Sequence, residues 1–260
     1  AEKRAAALTL DRTLLRDLMG DPQFRDLLDP QVIADVEAEL QRLAPERKIT
    51  SADALHDALR DLGPLTPAAI AARTMPDADL DVWYADLHRT RRIAEVRVQG
   101  ETRFAAVEDL ARLRDALGVS PPLGTPPALL EPPPDPLGDV VGRFARTHGP
   151  FTAAAAASAL GLPVAAVSEV LHRLAGTGRL SAGAYRPDGN GQEWGDADVL
   201  RRIRRRSLAV LRAEVEAVEP EALGRFLPAW HGLGGEAAHP ARLMEVVRRL
   251  QGAAMPASIV

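Results

Sequence analysis

The densest run of positive charge in the chain is Arg201, Arg202, Arg204, Arg205 and Arg206, with Arg212 further along. A guanidinium presents a planar fork of donors that matches phosphate oxygens in pairs, so residues of this type point to a phosphate backbone. At about 100° per residue, Val199, Leu200, Ile203, Ser207, Val210 and Leu211 fall on one arc of a helix. Arg201, Arg202, Arg205 and Arg212 fall opposite, flanked by Arg204 and Arg206. The pattern predicts a packed seam backed by an arginine ridge, with Asp196 or Asp198 as N-cap. Leu208 lies inside the polar arc, so part of that face is expected to be covered. The opposing expectation is that Glu214, Glu216, Glu219 and Glu221 neutralise the ridge through ion pairs.

Two further sets of residues could meet an anion. Arg89, Arg91, Arg92 and Arg97, with Arg103 across a turn, could touch a strand of nucleic acid. Ser168, His172 and Arg173 point away from the apolar stripe Val164, Val167, Val170, Leu171 and Leu174, with Glu169 beside them, and that surface is nearly neutral. Asp77, Asp79, Asp81 and Asp86 surround Trp83 and Tyr84, an acidic surface that would repel phosphates and suits protein packing. Trp83, Trp194 and Trp230 are either stacking platforms for bases or core, and core is the commoner use of sparse aromatics.

Other chemistries find no residues to carry them. There is no cysteine, which removes disulfide frameworks, zinc ribbons and thiol nucleophiles. The six histidines, His56, His88, His148, His172, His231 and His239, lack metal-ligand spacing, and no serine stands in a Gly-x-Ser-x-Gly elbow. Only Lys3 and Lys48 are lysines and neither follows a glycine, so a phosphate-binding loop is missing. Net charge is −4 with a pI near 5.9, so nucleic-acid binding must come from local clusters. No apolar run approaches the ~20 residues that cross a bilayer, and the start lacks a signal-peptide core, so a cytoplasmic protein without membrane contact is expected.

The elements that must position these residues come from a repeat. Leu62-Gly63-Pro64-Leu65-Thr66 is echoed by His148-Gly149-Pro150-Phe151-Thr152. Each copy follows a short amphipathic helix and precedes an alanine-rich one; a further helix comes next, Leu80 to Thr90 or Pro163 to Thr177. Hairpins are expected at 93–98 with 102–106, turning at Gln99-Gly100, and at 180–185 with 192–194, around a loose loop 186–191. Helices, turns and a two-stranded wing in this order define a winged helix.

The expected fold class is mainly α with small β-hairpin wings, an α+β array of tandem winged-helix modules. Residues 1–50 form a helical segment, 51–118 a first module, 119–136 a proline-rich linker or strap, and 137–218 a second module with the arginine helix. Residues 219–260 begin a third, with helices at 221–230 and 240–250. Helical periodicity runs from 8 to 43, with Asp21-Pro22 and Asp29-Pro30 as cap-and-proline starts.

Several long motifs resemble the bacterial large helicase-related (Lhr) family. They are Glu193-Trp194 with Asp196 through Ala209, Arg225 through Trp230, and Leu250 through Ser258. Asp135 through Asp139 and Thr147 through Thr152 look like the same region, and the arginine- and alanine-rich composition looks actinobacterial. The resemblance implies ATP-dependent 3′ to 5′ DNA helicases with N-terminal motor domains and a C-terminal region of tandem winged helices and a β-barrel. It implies a role in DNA repair for this stretch, with DNA (single-stranded or duplex) and other domains of the same helicase as partners. ATP and magnesium are implied for the motor domains alone, with no cofactor in this stretch. The same region is similar to AlkZ-type DNA glycosylases, which use a Gln-x-Gln or Gln-x-Asp motif; no glutamine here fits, so catalytic residues would lie beyond Val260. The competing function is a scaffold for protein–protein contact and homo-oligomerisation.

Overall fold

The computed structural model describes residues 28–187, 189, 191–213 and 224–226. Ala1–Arg212 form one compact unit and Ala213–Val260 a second, in which only Ala213 and the helical residues 224–226 are described. The helical residues expected before 28, including Leu14, Leu15 and Leu18, and the helices expected at 221–230 and 240–250 lie outside the described residues, apart from 224–226.

The first helix, α1 (Pro30–Leu40), starts as its sequence dictates: Pro30 takes the first position and Asp29 Oδ1 accepts from the amides of Gln31 (2.7 Å) and Val32 (3.1 Å). Then come α2 (Ala52–Leu62), α3 (Pro67–Arg73), α4 (Leu80–Arg89), β1 (Ile93–Val98), β2 (Glu101–Ala106) and α5 (Leu110–Leu117). A second set follows: α6 (Pro136–Thr147), α7 (Ala153–Leu160), α8 (Val164–Gly176), β3 (Leu180–Gly183), β4 (Glu193–Asp196) and α9 (Ala197–Ala213). Mostly helical, with two antiparallel two-stranded sheets, the described residues form a tandem of winged helices.

The repeated motif does the same work in both modules. Leu65 bridges Phe104, exchanging hydrogen bonds of 3.0 and 2.8 Å, and Phe151 bridges Trp194 with 2.9 and 2.7 Å. Each motif thus lays a single-residue third strand against its wing. The threonine one step on caps the next helix: Thr66 Oγ1 accepts from the Ala69 amide and Thr152 Oγ1 from the Ala155 amide, both at 3.1 Å. The glycines differ. Gly63 adopts φ +90°, which favours glycine, whereas a Cβ on Gly149 would stand 3.0 Å from Glu37 Oε2 and 3.3 Å from Ile33 on α1.

The first hairpin forms as expected, with Gln99 and Gly100 both at positive φ in a tight turn, and its second strand begins one residue early at Glu101. The second departs from expectation. Tyr185 is not in β3: its ring is fully buried with α1 and α9, and its amide donates to Glu193 Oε2 at 2.7 Å. Glu193 also accepts from the Arg186 amide at 2.8 Å, so a buried carboxylate, not a strand partner, holds this stretch. The proline-rich strap contains one turn of 3-10 helix at Pro127–Leu130, and the Leu130 carbonyl accepts from Arg114 Nη1 at 3.1 Å. Leu130 packs on the cluster formed by Val96, Val98, Leu110 and Leu113, which returns the strap to the first module.

Modules one and two have their own cores, around Leu55, Leu59, Ile70 and Leu87, and around Val141, Val167, Leu171 and Trp194. A further cluster joins Leu28, Val32, Ile33 and Val36 to Val199, Leu200, Ile203 and Leu211, closing α1 onto α9. Among the described residues no single helix is long and apolar enough to cross a membrane.

Candidate nucleic-acid interface

Asp196 Oδ1 accepts from the amides of Asp198 (2.9 Å) and Val199 (3.3 Å), which fixes the start of α9. The buried face is the expected one: Val199, Leu200, Ile203, Ser207 and Leu211, with Leu208 half-buried beside it. Val210 is an exception: it falls inside the arc, between Val199 and Ile203, yet stays exposed and is not among the side chains of the seam. Ser207 is fully buried because its Oγ accepts from the Asp29 amide at 3.1 Å, at the head of α1.

The arginine ridge divides. Arg201, Arg205 and Arg212 are exposed; Arg201 pairs with Asp198 one turn back, whereas Arg205 and Arg212 have no ion pair among the described residues. Arg202 and Arg206 instead converge on Glu39 of α1, Arg206 at 2.6 and 3.2 Å. The hydrogen bond from Arg206 comes first among the causes that hold the Glu39 carboxyl below the usual carboxylate range, with Coulombic attraction adding to it against the cost of burial. Arg204 is half-buried. Neutralising charge was expected from Glu214, Glu216, Glu219 and Glu221, which lie outside the described residues; the carboxylate the fold delivers is Glu39.

The first module spends most of its basic set internally. Arg89 pairs with Asp86, Arg103 with Glu101 at 3.1 Å, and Arg92 with Asp53. Arg92 also donates to His56 Nδ1 at 3.0 Å, so His56 presents Nε2–H to Glu108 at 3.2 Å. Arg91 and Arg97 remain exposed without an ion pair among the described residues, Arg97 reaching only its own turn at the Gly100 carbonyl. In the second module Arg173 holds Asp135 with two bonds of 2.6 and 3.0 Å, and His172 donates from Nδ1 to the Ser168 carbonyl while its ring meets Trp194 edge-on. Val164, expected in the apolar stripe, is exposed at the start of α8, before the helix reaches the core.

Among the aromatics, Trp194 is buried core, Trp83 is half-buried against the first core, and Trp230 lies outside the described residues. Asp77, Asp79 and Asp81 are exposed, so the surface at the start of α4 is acidic as expected, and an exposed Val82 adds an apolar side chain that the sequence pattern did not foresee. Among the described residues no three His, Asp or Glu side chains gather where a metal ion could be held.

Several positions that organise the two modules carried no signal in the sequence. Asp109 is buried and receives Arg143 at 2.6 and 2.8 Å as well as Arg112, which also reaches Asp139 at 3.2 Å. Gln41 is a buried strut: its Nε2 donates to the Thr147 carbonyl at 2.7 Å and its Oε1 accepts from Arg73 at 2.6 Å. Arg146 and Arg179 converge in space without sharing any element. Only contact partners distant in sequence reveal these residues.

Two winged helices in one body, with a capped basic helix at the end of the second, define a tandem winged-helix protein. Family models described as large helicase-related protein, winged-helix domain, match residues 26–132 and residues 218–260. The Lhr helicase/probable uracil glycosylase of Mycolicibacterium smegmatis is 48% identical over 261 residues, covering 100% of this chain and 17% of that protein. The Lhr helicase/uracil glycosylase of Escherichia coli is 36% identical over 277 residues, covering 100% of this chain and 18% of that protein. The chain belongs to the large helicase-related family and carries its winged-helix domains.

Proposed function

We propose that this chain is a DNA-binding part of the C-terminal region of an Lhr-type helicase acting in DNA repair, holding single-stranded or duplex DNA while an ATP- and magnesium-dependent motor lies elsewhere in the protein. The observation that carries this is the outer face of α9, where Arg201, Arg205 and Arg212 are exposed and the last two have no ion pair among the described residues. Free guanidinium groups along a helix suit successive phosphates and leave base sequence unread. Fluorescence anisotropy of labelled single-stranded and duplex DNA across salt concentrations tests it. Three phosphate contacts give a log–log slope of about −2.7 on duplex, less steep on single strands. Loss of that binding on changing Arg201, Arg205 and Arg212 together to Glu supports the assignment; no binding by the native chain sinks it.

The second reading is an interaction scaffold, either for other domains of the same helicase or for a second copy of the chain. The acidic surface of α4 and the capture of Arg202 and Arg206 by Glu39 support it. Light scattering that shows a concentration-independent monomer counts against self-assembly. A glycosylase role, suggested by the names of both relatives, would draw on residues outside this chain. Absence of product from uracil-containing DNA closes it for this stretch.

A further inference from the structure

Arg146 stands in the last turn of α6 and Arg179 in the turn between α8 and β3, and both are exposed. A Cβ placed on Gly142 would lie 3.5 Å from Arg146 Nη1 and 3.5 Å from Arg179 Nη2. The two guanidinium groups therefore converge over a residue with no side chain to part them. Neither makes an ion pair or a side-chain hydrogen bond among the described residues.

The surrounding carboxylates are already engaged. Asp135 holds Arg173 and the Gly138 amide, Asp139 holds Arg112, and Asp196 caps α9. Arg143, the other cation nearby, is committed to Asp109. Partial burial, and then the positive charge of Arg179, push the Arg146 guanidinium below its usual range, while Asp196 and Asp139 pull the other way. The carbonyl of Arg179 accepts from the Ala197 amide at 3.2 Å, which fixes this pair to the first residue of α9.

We propose that Arg146 and Arg179 form a clamp for one phosphodiester of a nucleic-acid backbone, seated over Gly142. Two forks approaching from different elements suit the paired oxygens of a phosphate. This inference rests on the DNA-binding reading and extends it from α9 to a site that the exposed side of α8 does not supply, since Arg173 is held by Asp135.

The test uses the full chain in two forms, Arg146→Gln with Arg179→Gln, and Gly142→Asp. The second sets a carboxylate between the guanidinium groups while leaving both in place. Thermal unfolding verifies that each form folds. The clamp predicts that each loses about tenfold in DNA affinity at low salt, with the duplex salt slope shallower by about 0.9, one phosphate's share. Unchanged affinity and slope in both forms overturn the clamp and leave the α9 assignment standing. If the native chain binds no DNA, that assignment falls, and the clamp is judged by NMR titration with inorganic phosphate. Saturable shifts confined to the Arg146 and Arg179 Nε–H signals keep a phosphate site there; no shift overturns it.

Discussion

Asp109, which begins α5, and Arg143, on α6, are joined by two hydrogen bonds of 2.6 and 2.8 Å between the first winged helix and the second. Both side chains are nearly sealed from solvent, at 6% and 12% exposure, so each charge depends on the other. Changing Asp109 to Ala strands Arg143 and releases Arg112, at a cost of about 3 kcal/mol. Chemical denaturation is expected to show it. Unchanged stability would mean that the modules do not rely on this pair.

Glu39 restrains the arginine ridge. Glu39→Gln is expected to release Arg202 and Arg206 to solvent, raising DNA affinity and steepening the duplex salt slope by about 1.8, the share of two phosphates. A slope that stays put would show that those two arginines do not reach DNA. Because the folded carboxyl is held low, its stabilisation is full above the unfolded value of about 4.3 and is lost as pH falls through the folded value. The Gln variant should lose less stability on acidification below pH ~4.

The two motif threonines should be equivalent. Thr66→Ala and Thr152→Ala each remove a cap bond of 3.1 Å, and each is expected to cost about 1 kcal/mol by urea unfolding. A large loss from one and none from the other would break the equivalence of the repeats.

His148 makes the second module sensitive to mild acid. Its ring stacks on Phe144 at 3.7 Å, Nδ1–H donates to the Phe144 carbonyl at 2.8 Å, and burial pushes the imidazole below its usual range. Below about pH 6.5 the unfolded chain takes up a proton that the folded one resists, so stability falls as pH drops through that window. His148→Gln is expected to be less stable at pH 7 and to show a flatter urea midpoint between pH 7 and 5. Equal slopes in both proteins would sink the assignment.

Features set by near neighbours were legible in the sequence. Asp29-Pro30 announces a helix start, Gln99-Gly100 a tight turn, and the spacing from Val199 to Leu211 a buried seam; all three form. The repeat was legible because one five-residue motif does two local jobs, bridging the wing and capping a helix. What sequence spacing could not reveal was partnership across long stretches. Nothing near Glu39 names Arg206, 167 residues on, as its partner, and the alternation around Leu180 favours carrying a strand on to Tyr185, whose ring is needed elsewhere. The candidate site suffered most, because an arginine's value to DNA depends on whether a carboxylate has already claimed it.

The packing of α1 on α9 has a consequence for synthesis. Val32, Ile33 and Val36 emerge from the ribosome long before Ile203 and Leu211, the side chains that cover them. At 5–20 residues per second, that apolar stripe waits roughly ten to thirty seconds for its partner. Each winged helix can settle as it appears, whereas the clasp between α1 and α9 must wait for both. A nascent chain that stalls before α9 therefore shows an open hydrophobic face, the surface that chaperones hold.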